Sequence, residues 1–120
     1  MSLVLLVDDD EDMLKMMERW FGKEGYELMT ASSGEGALER LAERIPDLIV
    51  LDYAMPGMDG CKTFQAIRDK TEYQDIPIVF RTGNEDEGVT EIMERLKPDG
   101  VIPKSEGRPY LMKTIAGILN

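Results

Sequence analysis

The sequence contains no histidine and only one cysteine, Cys61. The first absence removes Ser-His-Asp and Cys-His catalysis and every histidine-based metal site. The second removes any internal disulfide, so a reducing, cytoplasmic compartment is expected. Positive charge is scarce: 14 Lys and Arg stand against 24 Asp and Glu, a net charge of −10. A surface this acidic repels nucleic-acid phosphates and anionic lipid, so neither nucleic acid nor membrane is an expected partner. It suits divalent cations and basic protein surfaces. No apolar run approaches membrane-spanning length, and no basic-then-apolar segment opens the chain. A glycine-rich Walker loop is missing. An EF-hand counted from Asp8 needs Gly and Glu where Met13 and Arg19 stand.

What is present is ordinary globular composition: 120 residues, 42% hydrophobic and 32% charged, which fits one domain over residues 1–120. Short apolar runs alternate with helical patterns. Leu3–Val7 is the first strand, followed by a helix whose stripe is Leu14, Met17 and Phe21, widened by Met13, Met16 and Trp20. Gly22 and Gly25 end it. Tyr26–Thr30 is the second strand, and Ser32 with Glu35 reads as a capping box for a helix facing inward through Ala37, Leu38, Leu41, Ala42 and Ile45. Leu48–Leu51, Ile76–Phe80 and Val101–Ile102 are the remaining strands. Gly60–Arg68, Glu85–Leu96 and a segment entered at Pro109 are the remaining helices.

Five βα units in a row imply an α/β fold, a doubly wound (βα)5 five-stranded parallel sheet of the flavodoxin-like kind. Leu3–Val7 and Leu48–Leu51 are apolar throughout, as central strands are. Pro103 follows the short fifth strand and belongs at an edge. The order 2-1-3-4-5 fits both.

Sites in such sheets form at the carboxyl ends of strands. Those ends carry Asp8, Asp9 and Asp10, then Asp52, then Arg81 and Thr82, then Lys104. Carboxylates packed about 5 Å apart at an effective dielectric near 20 repel by roughly 3 kcal/mol per pair. A small hard dication such as Mg²⁺ relieves that repulsion. Asp52 is then a candidate carboxylate nucleophile toward phosphorus, with Mg²⁺, Lys104 and Thr82 neutralising the phosphoryl oxygens. Asp10, Glu11 and Asp12 read instead as a solvated turn and helix N-terminus, Asp59 as a helix cap, and Cys61 as a packing residue.

The segments "LLVDDD" (5–10), "LDYAMPGMDG" (51–60), "PIVFRTG" (77–83) and "DGVIPK" (99–104), each following a strand, resemble the receiver domains of two-component response regulators. The resemblance covers nearly the whole chain. It implies that Asp52 is the phosphoacceptor, supplied by a sensor histidine kinase or a phosphotransfer protein. It implies that Asp9 is the direct Mg²⁺ ligand beside Asp8, Asp52 and the Ala54 backbone carbonyl. Thr82 would be the switch hydroxyl and Lys104 the phosphate-binding lysine. Phosphorylation would shift the face of the fourth helix, fifth strand and fifth helix, read by an output domain or partner protein. Ala54 and Asn84 flank the site where phosphoryl lifetime is set.

The chain departs from the family pattern at three positions. Ser105 follows Lys104 where proline in a cis peptide is usual, so a trans bond or a rearranged loop is expected. Val101 replaces an aromatic. Arg81 precedes Thr82 where small or apolar residues are commoner. Ser105 and Val101 motivate one alternative, a degenerate receiver binding partners without phosphoryl chemistry. A phosphatase with an aspartyl nucleophile needs a general acid two residues after it, where Ala54 stands. No activity as a stand-alone enzyme is expected.

Overall fold

The computed structural model describes residues 2–55, 57–83 and 87–120, with side chains from residue 91 in the last stretch. Asn84, and Glu85 and Asp86 of the expected fourth helix, lie outside the described residues. The elements run β1 (Leu3–Val7), α1 (Glu11–Lys23), β2 (Glu27–Ala31), α2 (Gly34–Glu43), β3 (Leu48–Asp52), α3 (Gly60–Arg68), a 3-10 turn (Thr71–Tyr73), β4 (Ile78–Thr82), α4 (Glu87–Leu96), β5 (Gly100–Pro103) and α5 (Arg108–Leu119). All sheet pairings are parallel, in the order β2-β1-β3-β4-β5.

Strand periodicity divides the core in two. One set of side chains (Leu5, Val7, Ile49, Leu51, Ile78 and Phe80) packs against Ala37 and Leu41 of α2, Phe64 and Ile67 of α3, and Met93 of α4. The alternate set (Val4, Leu6, Leu48, Val50, Val79 and Ile102) packs against Leu14, Met17 and Phe21 of α1 and Leu111 and Ile115 of α5. With both faces covered, β1, β3 and β4 are buried at every position.

Several local readings change. The α2 cap is Ser33, not Ser32: its Oγ accepts from the Gly36 amide at 3.0 Å, and its extended backbone turns the chain into the helix. Ala42 and Ile45 are exposed, because α2 stops at Glu43 and, of the expected stripe, turns only Ala37 and Leu41 fully inward. α1 continues through Gly22 to Lys23; Gly25, at φ +88°, makes the turn out of it. β2 and β4 begin one and two residues later than the apolar runs suggest, and each extends to include its polar or small end residue. Pro77 precedes β4 and supplies only its carbonyl, which accepts from Ile49 N. No described peptide bond is cis, so Lys104–Ser105 is trans as expected.

Two aspartates anchor strand starts. Asp47 accepts from Leu3 N at 2.7 Å, and Asp99 from Ile78 N at 2.8 Å. Two others cap helices as their positions imply. Asp10 accepts from the Asp12 and Met13 amides, and Asp59 from the Lys62 amide. At the turn into α3, the Gly60 amide donates to the Tyr53 carbonyl. A Cβ on Gly60 would meet the Asp52 carbonyl oxygen at 2.5 Å and Tyr53 Cα at 2.7 Å, both backbone atoms that cannot yield cheaply. Gly60→Ala is therefore expected to destabilise the domain by about 1–3 kcal/mol. Gly22→Ala, in open space on a helix, should stabilise it by roughly 0.5–1 kcal/mol. Urea unfolding of both variants checks the contrast.

Candidate functional site

The alternation that builds the α1/α5 side of the core continues one step beyond it. Val4 and Leu6 lead to Asp8, Leu48 and Val50 lead to Asp52, and Val79 leads to Arg81. Val7 pairs with Leu51, so Asp8 follows in line with Asp52; Asp52 itself pairs with Arg81. The last inward row of an apolar sheet face is thus ionic. Asp8 and Asp52 are each 1% exposed and Arg81 is 4% exposed.

Backbone contacts fix these side chains. The Asp8 amide donates to Ala31 O, and Asp8 Oδ1 accepts from the Asp10 amide at 2.9 Å. Tyr53 N donates to Arg81 O, locking β3 to β4 just past Asp52. The rings of Tyr53 and Phe64 both lie against Phe80, with centroids 5.9 and 5.4 Å away. Lys104 N donates to Thr82 O at 2.8 Å, tying β5 to β4 and aiming the lysine across the rim.

Asp8, Asp9 and Asp52 offer carboxylate oxygens that all lie within 4.8 Å of one another. Asp9 is exposed, on the solvent side of two buried acids. Lys104 Nζ stands 2.8 Å from Asp52 Oδ1, with the lysine side chain about a third exposed. This is an ion pair by distance, yet neither Asp52 oxygen receives a well-directed hydrogen bond. Asp47, Asp99, Asp10 and Asp59 all hold backbone amides; Asp52 holds none, which separates it from the structural acids of the chain. Its orphaned oxygens, facing two further carboxylates, form an all-oxygen donor set suited to a small hard dication.

Electrostatics follow from that burial. Desolvation pushes the Asp52 carboxyl up to about 7; the nearby Asp8 charge and a contact with Asp9 also raise it, while Lys104 draws it down. Cys61, half-buried on α3, has its thiol pushed up by burial and by Asp59, which leaves it a poor nucleophile.

Asp8, Asp9, Asp52 and Lys104 thus come together. Thr82 is buried at the end of β4, with its carbonyl bound to Lys104. Ala54 is exposed, two residues past Asp52. Asn84 lies outside the described residues. Sequence reading missed Arg81 as a member of the site: its Nη1 lies 3.4 Å from Asp8 Oδ2. The signal was available, since Val79 and Arg81 share a strand face with Val50 and Asp52.

A sequence model of the response regulator receiver domain matches residues 4–116. This chain belongs to the receiver domain family. It is 36% identical to the transcriptional regulatory protein AfsQ1 of Streptomyces coelicolor over 90% of this chain and 47% of that one. It is 30% identical to the phosphate regulon transcriptional regulatory protein PhoB of Rhizobium meliloti over 97% of this chain and 51% of that one. The receiver thus spans about half the length of these relatives. Among solved structures it resembles the chemotaxis protein CheY4 of Vibrio cholerae, with a TM-score of 0.92, 28% identity and 99% of both chains covered. Receiver domains are signalling modules, and among the described residues no helix is long and apolar enough to cross a membrane.

The raised Asp52 carboxyl has a consequence for stability. An unfolded aspartate ionises near 3.9, so between about pH 4 and 7 the unfolded chain releases this proton while the folded one keeps it. Ionisation of Asp52 therefore costs the receiver stability as pH rises through that window; above about 7 the penalty is complete and constant. Asp52→Asn removes it. In chelator-containing buffer the variant should gain stability over wild type by roughly 1–3 kcal/mol at pH 8 and little at pH 4. Denaturant titrations at the two pH values check the sign.

Proposed function

We propose that this receiver accepts a phosphoryl group on Asp52 from a phosphohistidine of a sensor histidine kinase or phosphotransfer protein, in the presence of Mg²⁺. The observation that carries the reading is Asp52 itself: buried, held by no backbone amide among the described residues, and placed between Asp8 and the Lys104 ammonium.

Asp9, Asp8, Asp52 and the Ala54 backbone carbonyl are the residues that would hold the ion. When bound, Mg²⁺ supplies positive charge against the phosphoryl oxygens and relieves the repulsion within the acidic cluster. The chain's own residues do the rest. An Asp52 carboxylate oxygen attacks phosphorus, the histidine N–P bond breaks, and the imidazole nitrogen leaves with the electron pair and is protonated. The β3 end holds Asp52 at a fixed height, so attack needs no search over rotamers. Lys104, already paired with Asp52, neutralises an equatorial phosphoryl oxygen, and the Thr82 hydroxyl donates to another. With no general acid at Ala54, the reaction stays a transfer onto the protein, and the receiver turns over no other phosphate ester.

The expected readout is the α4–β5–α5 face, where Val101 is 37% exposed, and the reader is an output domain or separate partner protein. We read residues 1–120 as a single receiver domain working in the cytoplasm. The degenerate alternative finds no support, because every charged group that phosphoryl transfer needs sits at one rim.

Incubation with Mg²⁺ and acetyl phosphate should add one phosphoryl group by intact mass. Asp52→Asn or chelator should abolish the adduct, and Lys104→Ala should slow its formation on the order of a hundredfold. A wild type that gains no adduct and also fails to bind beryllofluoride, followed by amide shifts around Asp52, would leave the reading without its chemistry.

A further inference from the structure

Arg81 stands out within the buried ionic row. It is 4% exposed on a sheet face that is otherwise apolar below the rim. Its Nη1 meets Asp8 Oδ2 at 3.4 Å, and its Nε is buried without a hydrogen-bond partner. In register it lies beside Asp52. The guanidinium therefore occupies a place next to two of the three carboxylates that group as a cation site. A buried arginine keeps its charge under nearly all conditions, so its presence there is permanent.

We propose that Arg81 is a tethered counter-ion of the acidic cluster, pairing with Asp8 and holding down the affinity of the cluster for divalent cations. This deepens the phosphoryl-transfer reading and rests on its assignment of the cluster as the metal site. The reason is direct. A dication ligated by Asp8, Asp9 and Asp52 would share Asp8 with a guanidinium, placing two cations on one buried carboxylate. Their repulsion is poorly screened at such depth. Without a metal, the same guanidinium offsets part of the repulsion between Asp8 and Asp52, which lowers the drive to take up an ion.

The side chain also has somewhere to go. A groove of about 380 Å³ opens beside the site, lined by Met16, Trp20 and Leu111 together with Asp8, Arg81 and Lys104. An arginine displaced from Asp8 can lay its stem on the methionine and leucine and its guanidinium against the Trp20 ring. Trp20 is the single tryptophan of the chain, so it reports on the exchange.

The test uses the unphosphorylated domain and Mg²⁺ alone, titrated by calorimetry and by Trp20 fluorescence. Arg81→Gln keeps a neutral donor near Asp8 and is expected to bind Mg²⁺ on the order of tenfold more tightly than wild type. Arg81→Met, which fills similar space without a donor, should show the same gain and serves if the glutamine variant does not fold. Arg81→Lys should stay near wild type. In an Asp8→Asn background, adding Arg81→Gln should change affinity by less than about threefold, because the shared carboxylate is gone. Equal Mg²⁺ affinity in wild type and both neutral variants would overturn the tethered ion while leaving the phosphoryl-transfer reading intact. An undiminished gain in the Asp8→Asn background would also overturn it. Failure of wild type and variants alike to bind Mg²⁺ at millimolar concentrations would remove both.

Discussion

Two carboxylates buried side by side at the ends of adjacent parallel strands are the constraint around which this receiver is arranged. Asp8 and Asp52 are almost fully shielded from water, yet they extend the same inward-facing rows as Val4, Leu6, Leu48 and Val50. An unpaired charge in such a place costs several kcal/mol. The surroundings show where that cost is met: an amide for Asp8, a guanidinium shared with it, and an ammonium at Asp52. What is left unmet is concentrated on Asp52, whose partner is one partly exposed ammonium and whose carboxyl is pushed up to about 7 by burial.

The apolar sheet is what makes this tolerable. β1, β3 and β4 are buried on both faces, so the strand ends are rigid and their height above the core is fixed. Gly60 lets α3 start against the backbone of Asp52 and Tyr53, and Phe80 between Tyr53 and Phe64 clamps the loop that follows. The acids that only build structure are distinguishable by their partners. Asp47 and Asp99 hold strand amides, and Asp10 and Asp59 hold helix amides. Asp8 combines both patterns, accepting the Asp10 amide while pairing with Arg81, so Asp52 is the acid of the buried row that holds no backbone amide among the described residues.

Much of this was legible in the sequence, for identifiable reasons. β1 and α3 were read to the residue, because "LVLLV" is uninterrupted and Asp59-Gly60 marks a start with a cap. The fully apolar runs and Pro103 place β1 and β3 inside the sheet and β5 at an edge, which the order 2-1-3-4-5 fits. Asp8, Asp9, Asp52 and Lys104 are legible because each stands at or just past the carboxyl end of a strand. The errors arose where side-chain type underdetermines geometry. Ser32 and Ser33 are chemically alike, and only the backbone angle selects Ser33 as the cap. Ala42 and Ile45 continue a helical stripe, but α2 ends before burying them. Arg81 is out of place at a strand end by its charge, and that charge alone names no partner. Charge alone does not say which face of a strand a residue takes, and the count along Val79 and Arg81 does.

That count also constrains how a phosphoryl group would act. The buried row carries two acids, Asp8 and Asp52, and one base, Arg81, while the partly exposed Lys104 stands against Asp52 at the rim. Asp9 adds its charge at the solvent edge. A phosphoryl group placed on Asp52 removes one carboxylate charge and brings about −1.5 to −2 in its place, with three strong acceptor oxygens. The row is then short of positive charge at the site. A dication at Asp9 would correct part of the imbalance, and Lys104 is already within reach of Asp52. Arg81 is the remaining cation, tied to Asp8 by a contact longer than the Lys104 pair. Redistribution of these charges would pull on β4 and β5 through Thr82 O and Lys104 N, which are hydrogen-bonded to each other. A local change in charge at Asp52 would thereby have a covalent and hydrogen-bonded route to β5, the strand that packs against α5.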